Sequence, residues 1–422
     1  MPLRPLALLP ALALMLTGPL QAAPDPADWE AVLEEARGQT VYWNAWAGDS
    51  RTNRYLEWVA RQLAERHGLE MVHVKLDDTG TAVSRVLAEK AAGNRDDGSI
   101  DLIWINGENF AAMREADLLF GPFAERLPNF ALTHPEHNPE VVTDFTLPTE
   151  GFESPWGKAQ ITFYYDSEEI GDSEEMGDSH ELGRDGATVE EPPRSIEALL
   201  AWAEANPGRF TYPRIPDFTG STFLKQVLIA LADDPAALYA PVAESDFAAV
   251  TAPLWEYLDA LHPHLWRSGR QFPATGPELR RLMGDGELSL AFTFYPSEPA
   301  AAVADLELPE SVRSYVLDEG TLGNVHFVAI PFNSPRKAGA LVVANFLLSP
   351  EAQAHKQDLA VWGDRTVLDV ARLPEADRER FVLDDENPAM LPADALEKTL
   401  PEPHPSWMTA LQDAWRERYV GR

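Results

Sequence analysis

The chain has 422 residues, is 45% hydrophobic and 24% charged, and carries a formal net charge of −34 with no cysteine. Its length and apolar content supply more than one core, and its charge repels nucleic acid and anionic membrane surfaces. The missing cysteine excludes a disulfide framework, a thiol nucleophile and a lipid-anchored cysteine.

The opening MPLRPLALLPALALMLTGPLQAAPDP sets Arg4 ahead of an apolar run from Leu6 to Leu16 and closes on small residues. This predicts a signal peptide over residues 1–22, cut after Ala22, because the run is too short to anchor in a bilayer and is punctuated by prolines. The mature protein is therefore expected to be soluble, exported and free in the periplasm. A helix is predicted over Asp28–Arg37. Next comes TVYWNAWAGDSRTNRYLEWVARQL, where a β-like run (Thr40–Trp43) leads through Trp46 into a helix. Tyr55, Val59 and Leu63 recur there at spacing four, with Ser50 or Thr52 as the expected N-cap. LEMVHVKLDD (69–78) and IDLIWING (100–107) read as further strands, each followed by a helical pattern. Three β-then-α units predict a mostly parallel sheet with right-handed crossovers.

Beyond an irregular stretch (128–150), FESPWGKAQITFYYDSEEI reads as a long strand leaving the first half of the molecule. The acidic, Gly-containing segment 167–191 is poor in apolar residues and predicts a mobile, solvated insertion. Helices follow, one of them opened by Thr219-Gly220-Ser221 and others near 246–262 and 276–283. GELSLAFTFYPSEP (286–299) reads as a strand returning to the first half. TLGNVHFVAIPFNSPRKAGALVVANFLLSPEAQAHK reads as a strand, a turn at Asn333 and Ser334, and one long amphipathic helix, and the C-terminal stretch reads as helical.

An outgoing strand near PWGKAQITFYYD, a returning one near GELSLAFTFY, and NVHFVAIPFNSPRKAGALVVANFLLSPEAQ resemble the periplasmic solute-binding proteins of ABC importers, of the extracellular solute-binding family 1 type. TVYWNAWAGD, DLIWINGENF, GRFTYPRIPDFTGSTFLKQ, WEYLDALHPHLW and AVWGDRTVLD are similar to its YnjB-type subfamily. The resemblance implies an α/β, two-lobed, periplasmic-binding-protein-like fold of type II, hinged on two or three crossing strands. On that reading residues 28–155 and 297–360 form lobe 1, and residues 160–294 and 365–422 form lobe 2. It implies a monomer that captures a small solute without covalent chemistry or a cofactor and delivers it to a membrane permease. Lobes joined by a few strands can hinge, because only a handful of torsions must change.

Ligands in open α/β sheets collect at the carboxyl ends of strands. Those ends offer Trp43, Asn44 and Trp46, then Asp78 and Thr79, then Asn106, Glu108 and Asn109. Crossing strands add Trp156, Lys158 and Tyr295. The second lobe adds Phe218, Thr219 and Ser221 at a helix start, where free N–H groups can take an acceptor, and Trp362 is expected near a third crossover. Asn106, Glu108 and Asn109 can instead cap the following helix, Lys158 can pair with a hinge carboxylate, and Trp104 reads as core. Aromatic faces among carboxylates favour a cationic or heteroaromatic solute, thiamine- or polyamine-like. A sugar stacked on tryptophan is the alternative. A ferric site at Tyr164-Tyr165 is disfavoured, because adjacent strand residues point to opposite faces. HPEHNPE (134–140) and HPH (262–264) lack the HExxH spacing of a helical metal site, and no nucleophile elbow or phosphate loop is present, so a hydrolase is the weaker rival.

Overall fold

Apolar runs alternating with helical repeats fold the N-terminal part of the chain into βα units. A computed structural model describes residues 24–170, 191–381, 387–391 and 393–420. The expected signal peptide and most of the expected acidic insertion lie outside the described residues. Helix α1 (Trp29–Ala36) starts at Asp28, whose carboxylate accepts from Ala31 N–H. Strand β1 (Thr40–Trp46) leads into α2 (Ser50–His67), then β2 (Glu70–Leu76), α3 (Gly80–Ala91), β3 (Leu102–Ile105) and α4 (Gly107–Glu115). The cap of α2 is Asp49, one residue ahead of the expected Ser50, since its carboxylate takes the amide protons of both Arg51 and Thr52. β1 pairs in parallel with β2 and β3, so the three strands end on one edge.

A small hairpin, β4 (Thr143–Asp144) and β5 (Leu147–Pro148), precedes the expected long strand, which is broken at Ile161 into β6 (Glu153–Gln160) and β7 (Thr162–Asp166). Helices α5 (Ile196–Ala205), α6 (Phe218–Leu231), α7 (Phe247–Leu261) and α8 (Gly276–Gly284) follow. Then come β8 (Leu290–Thr293), α9 (Glu298–Ala304), β9 (Val312–Tyr315) and β10 (Thr321–Ala329). The expected single helix after β10 is two, α10 (Lys337–Leu347) and α11 (Pro350–Gln357), because Ser349 caps a new start with Pro350 in its first turn. The chain closes with α12 (Glu375–Arg378), β11 (Thr399–Leu400) and α13 (Ser406–Tyr419).

Two sheets carry two cores. The six-stranded sheet runs β11-β10-β3-β1-β2, with β6 also paired to β10, and the three-stranded one runs β8-β7-β9. The result is a two-lobed α/β fold whose halves are joined by extended strands: β6 passes into β7 at Ile161, and β10 comes back beside β6 in antiparallel pairing.

Three further expectations fail. β8 does not return to the first lobe; it pairs with β7, and Ala300, Ala302, Val312 and Tyr315 after it pack in the second core. The true return is β10. A four-residue strand buried on both faces carries no alternation to name its partner sheet. The stretch after Trp362 is also not wholly in the second lobe, because Val367, Leu368 and Leu373 pack in the first core while Trp407, Leu411 and Trp415 pack in the second. Nor is it mainly helical: Pro374, Pro388, Pro392, Pro401, Pro403 and Pro405 interrupt it, and a proline removes a helical donor and clashes with the preceding turn.

Candidate functional site

The strand-end edge of the first lobe faces α6, α8 and α9 of the second, and the two halves touch. Buried Arg51, in the first turn of α2, donates to the Ala301 carbonyl at 2.8 Å and to Asp305 at 2.6 Å in the second lobe. Arg280 of α8 lies 3.5 Å from the Asp49 carboxylate of the first lobe and also holds Glu298 and Glu307 of its own lobe. Three carboxylates from two lobes thus converge on one guanidinium, which fixes the lobe-to-lobe geometry at this side.

Inside this seam lies an aromatic floor. Trp156 packs edge-on against Trp43 and Trp104, at centroid distances of 5.4 and 4.7 Å, and sits 5.5 Å from Trp362. His326 stacks with Trp362 at 6.3 Å, and Tyr295 touches both, at 6.1 and 6.0 Å. Beneath it, Asp364 accepts from Lys356 and pairs with His326 at 2.8 Å, all three buried. Burial raises the Asp364 pKa, but His326 and Lys356 outweigh it and hold the carboxyl below its ordinary range. The Tyr295 phenol is pushed well up, by burial first and then by Asp364, Asp49, Glu298 and Asp217, so carboxylates of both lobes face it.

Above the floor, charge is less balanced. Glu108, at the start of α4, is pushed up to about 6, chiefly by burial and further by Glu402 and Asp78, while Lys225 pulls the other way. Asp217 caps α6, accepting from Thr219 N–H at 2.9 Å and Gly220 N–H at 3.2 Å, yet burial still lifts it to about 6. Neither carboxylate has a cation within ion-pair distance among the described residues. Lys225 is spent on Glu402 at 2.6 Å, both fully buried, with its ammonium 4.5 Å from the Phe145 ring centre and 5.6 Å from that of Phe218. Gly107 is required here: its φ is +56°, and a Cβ would come within 2.7 Å of the Phe145 ring.

The expected site residues separate. Trp46, Glu108, Phe218, Thr219 and Tyr295 are partly exposed along the seam. Trp43 and Trp156 are fully buried in the first core and Trp362 nearly so, which makes them floor rather than wall. Asn44 is buried too. Asp78 accepts from Gly80 N–H at 2.9 Å at the head of α3, and Thr79 donates to the Trp104 carbonyl at 3.2 Å. Asn106 stands at the N-cap of α4 without a capping side-chain bond, and Asn109 donates to Glu108 at 3.2 Å. Lys158 reaches Glu140 at 2.7 Å, as its pairing alternative foresaw. Ser221 is buried and accepts from Gln412 at 3.1 Å, because a serine one turn into a helix faces the packing neighbour α13.

Sequence reasoning missed Asp217, Lys225, Arg280, Phe145 and Glu402. Asp217 was findable, standing immediately before a helix start, and Lys225 interrupts an apolar helical run, FLKQVLIAL. Nothing local marks Glu402. Of the rival motifs, His134 pairs with Glu136 at 3.1 Å on the surface, and His262, lowered to about 4 mainly by burial, bonds the Tyr212 hydroxyl at 2.7 Å. No metal-holding group of three His, Cys, Asp or Glu occurs among the described residues. Tyr164 and Tyr165 are both buried in the second core.

Two α/β lobes joined by extended strands and meeting at a seam of aromatic rings and carboxylates form the periplasmic-binding-protein fold. The family model for bacterial extracellular solute-binding proteins matches residues 58–378, and the chain belongs to that family. It is 45% identical over 392 residues to protein YnjB of Escherichia coli (strain K12), a match covering 93% of this chain and 94% of that protein. The fold is shared with periplasmic binding protein AfuA of Actinobacillus pleuropneumoniae, solved with fructose-6-phosphate bound (TM-score 0.59, 15% identity, 90% of this chain and 99% of that one). It is shared also with the spermidine/putrescine ABC transporter substrate-binding protein PotD of Streptococcus pneumoniae (TM-score 0.56, 15% identity, 91% and 99%).

Proposed function

We propose that the chain is the periplasmic capture component of an ABC importer, closing on a cationic or heteroaromatic organic solute, thiamine- or polyamine-like, and handing it unchanged to a membrane permease. It works as an exported monomer without a cofactor and with no catalytic step. The observation that carries this reading is geometric: each lobe leaves one partly exposed carboxylate, Glu108 on the first and Asp217 on the second, without a cation in ion-pair reach among the described residues, and burial pushes each up to about 6. A solute cation lying between them would supply the missing charge to both lobes, and so would favour the closed form through contacts the open form lacks. Trp46, Phe218 and Tyr295 add ring faces beside those carboxylates, where a desolvated cation gains up to about 2 kcal/mol per ring. At the seam Arg280 faces three carboxylates, Asp49, Glu298 and Glu307, so negative charge is in excess there too.

Native mass spectrometry of protein freshly taken from the periplasm tests this directly. A co-purifying organic cation supports the reading; a neutral sugar or a sugar phosphate overturns it. Trp46 and the polar seam would also suit a sugar, whose hydroxyls can donate to either form of Glu108, so its affinity would change less than a cation's as pH crosses 6.

A further inference from the structure

Glu153 opens β6, opposite Ala329 of β10, and is 1% exposed. Neither of its carboxyl oxygens has a hydrogen-bond partner. Asp144, also 1% exposed, spends Oδ2 on Gly107 N–H at 2.6 Å, while its Oδ1 is likewise buried and unpartnered. An ionised carboxylate is an acceptor only, and one buried without donors is too costly to persist. A proton removes that negative charge. We infer that Asp144 and Glu153 are both held as neutral acids at neutral pH, and that Asp144 positions the head of α4, which carries Glu108, so that arrival of a cation at Glu108 drives the Asp144 proton out.

The surroundings fit. The groups acting on Glu153 are Asp144, which raises it beyond the effect of burial, and Arg114 of α4, which lowers it but is engaged by Glu150 at the surface. Segments 124–126 and 139–142 pack on β6 and bring Glu125, Arg126 and Glu140, all exposed, with Glu140 bound to Lys158. Around Asp144 stand Glu108 and Glu402, which raise it, and Lys225, which lowers it less. Glu108 is thus electrostatically linked to Asp144, and Gly107 N–H links the same two residues through the backbone. Neutralising Glu108 with a cation removes a repulsion that keeps the proton bound, which is why uptake and proton release are coupled. Asp144 and Glu153 touch no solute; they are positioning residues.

The coupling rests on the cation reading of the cleft, whereas the retained protons do not, and the experiment separates them. The solute-free mature chain and its Glu153→Gln variant are compared at pH 7 by infrared difference spectroscopy, which reads a protonated carboxyl directly. The expected result is a carboxylic-acid band stronger in the wild type than in the variant, where Asp144 keeps its own proton; a difference containing only ionised carboxylate overturns the acid pair. Melting between pH 5 and 8.5 is the second readout. The pair favours the folded state at low pH and loses that contribution as pH rises, so Glu153→Gln should gain at least about 2 °C on the wild type over this range. A constant offset contradicts the proposal. Should Glu153→Gln not fold, Asp144→Asn serves in both measurements. Calorimetry with spermidine in two buffers of different ionisation enthalpy then reads the coupling. Binding with proton release supports it, binding without release overturns the coupling alone, and no binding counts against the cation reading while leaving the infrared result standing.

Discussion

The floor of the seam and its walls are built on opposite principles. In the floor every charge is matched: Asp364 sits between Lys356 and His326, and Trp43, Trp104, Trp156 and Trp362 enclose one another. On the walls, Glu108 and Asp217 are partly buried but uncompensated, beside half-exposed Trp46 and Phe218. A matched region stores stability, and an unmatched one stores affinity. Aromatic residues therefore divide by exposure: the conspicuous tryptophans are mostly core, and on the proposed reading the less conspicuous carboxylates select what enters the seam.

The sharpest way to break this contrast is at the floor. Trp156→Ala should cost about 3–5 kcal/mol of stability, because it empties a fully enclosed volume touching Trp43, Trp104 and Trp362; chemical denaturation reads it, and a loss below about 1 kcal/mol would show the floor to be soft. Lys225→Met leaves Glu402 buried and unpaired, with an expected loss of about 3 kcal/mol or more in the same assay. At the wall, Glu108→Gln should melt at or above the wild type at pH 7.5, since it removes a disfavoured charge, yet weaken spermidine at least tenfold, about 1.4 kcal/mol by calorimetry. The smallest effect belongs to the lobe contact, since Asp305 is half-exposed: Asp305→Ala should change melting by less than about 1 kcal/mol and salt should erase the difference.

Acid should act on solute-free stability and on cation affinity at the walls in opposite senses. Glu108 and Asp217 have folded pKa values raised to about 6 from ordinary carboxyl values of 4.5 and 3.8, so the folded chain binds their protons more tightly than the unfolded one does. Their contribution to solute-free stability is present at low pH and is lost as pH rises through about 6. Cation affinity runs the other way and weakens as pH falls through the same window. Melting and calorimetry across pH 5–8 should show the two trends crossing.

Much of this architecture was legible along the chain. Period-four spacing at Tyr55, Val59 and Leu63 gave α2, and three successive strand-helix alternations gave the parallel sheet. The split between Trp43 and Trp46 was legible too, because alternate strand residues face opposite sides, putting an odd step between buried Trp43 and half-exposed Trp46. What the chain concealed is long-range pairing. Lys225 meets Glu402 from 177 positions away, and Arg51 meets Asp305 from 254. No periodicity records such partners, since they are brought together only when β6 and β10 pair. The destination of β8 was hidden for the same reason.

The central claim is that ionised carboxylates from both lobes hold a cation in the seam. Calorimetric titration of the mature chain with spermidine at pH 7.5 and pH 5.0, repeated with Glu108→Gln, tests it most directly. The account predicts a fall in affinity of about a hundredfold on acidification in the wild type, where both carboxylates take up protons, and of about tenfold in the variant, which keeps Asp217 alone. Equal affinity at the two pH values in the wild type would contradict it.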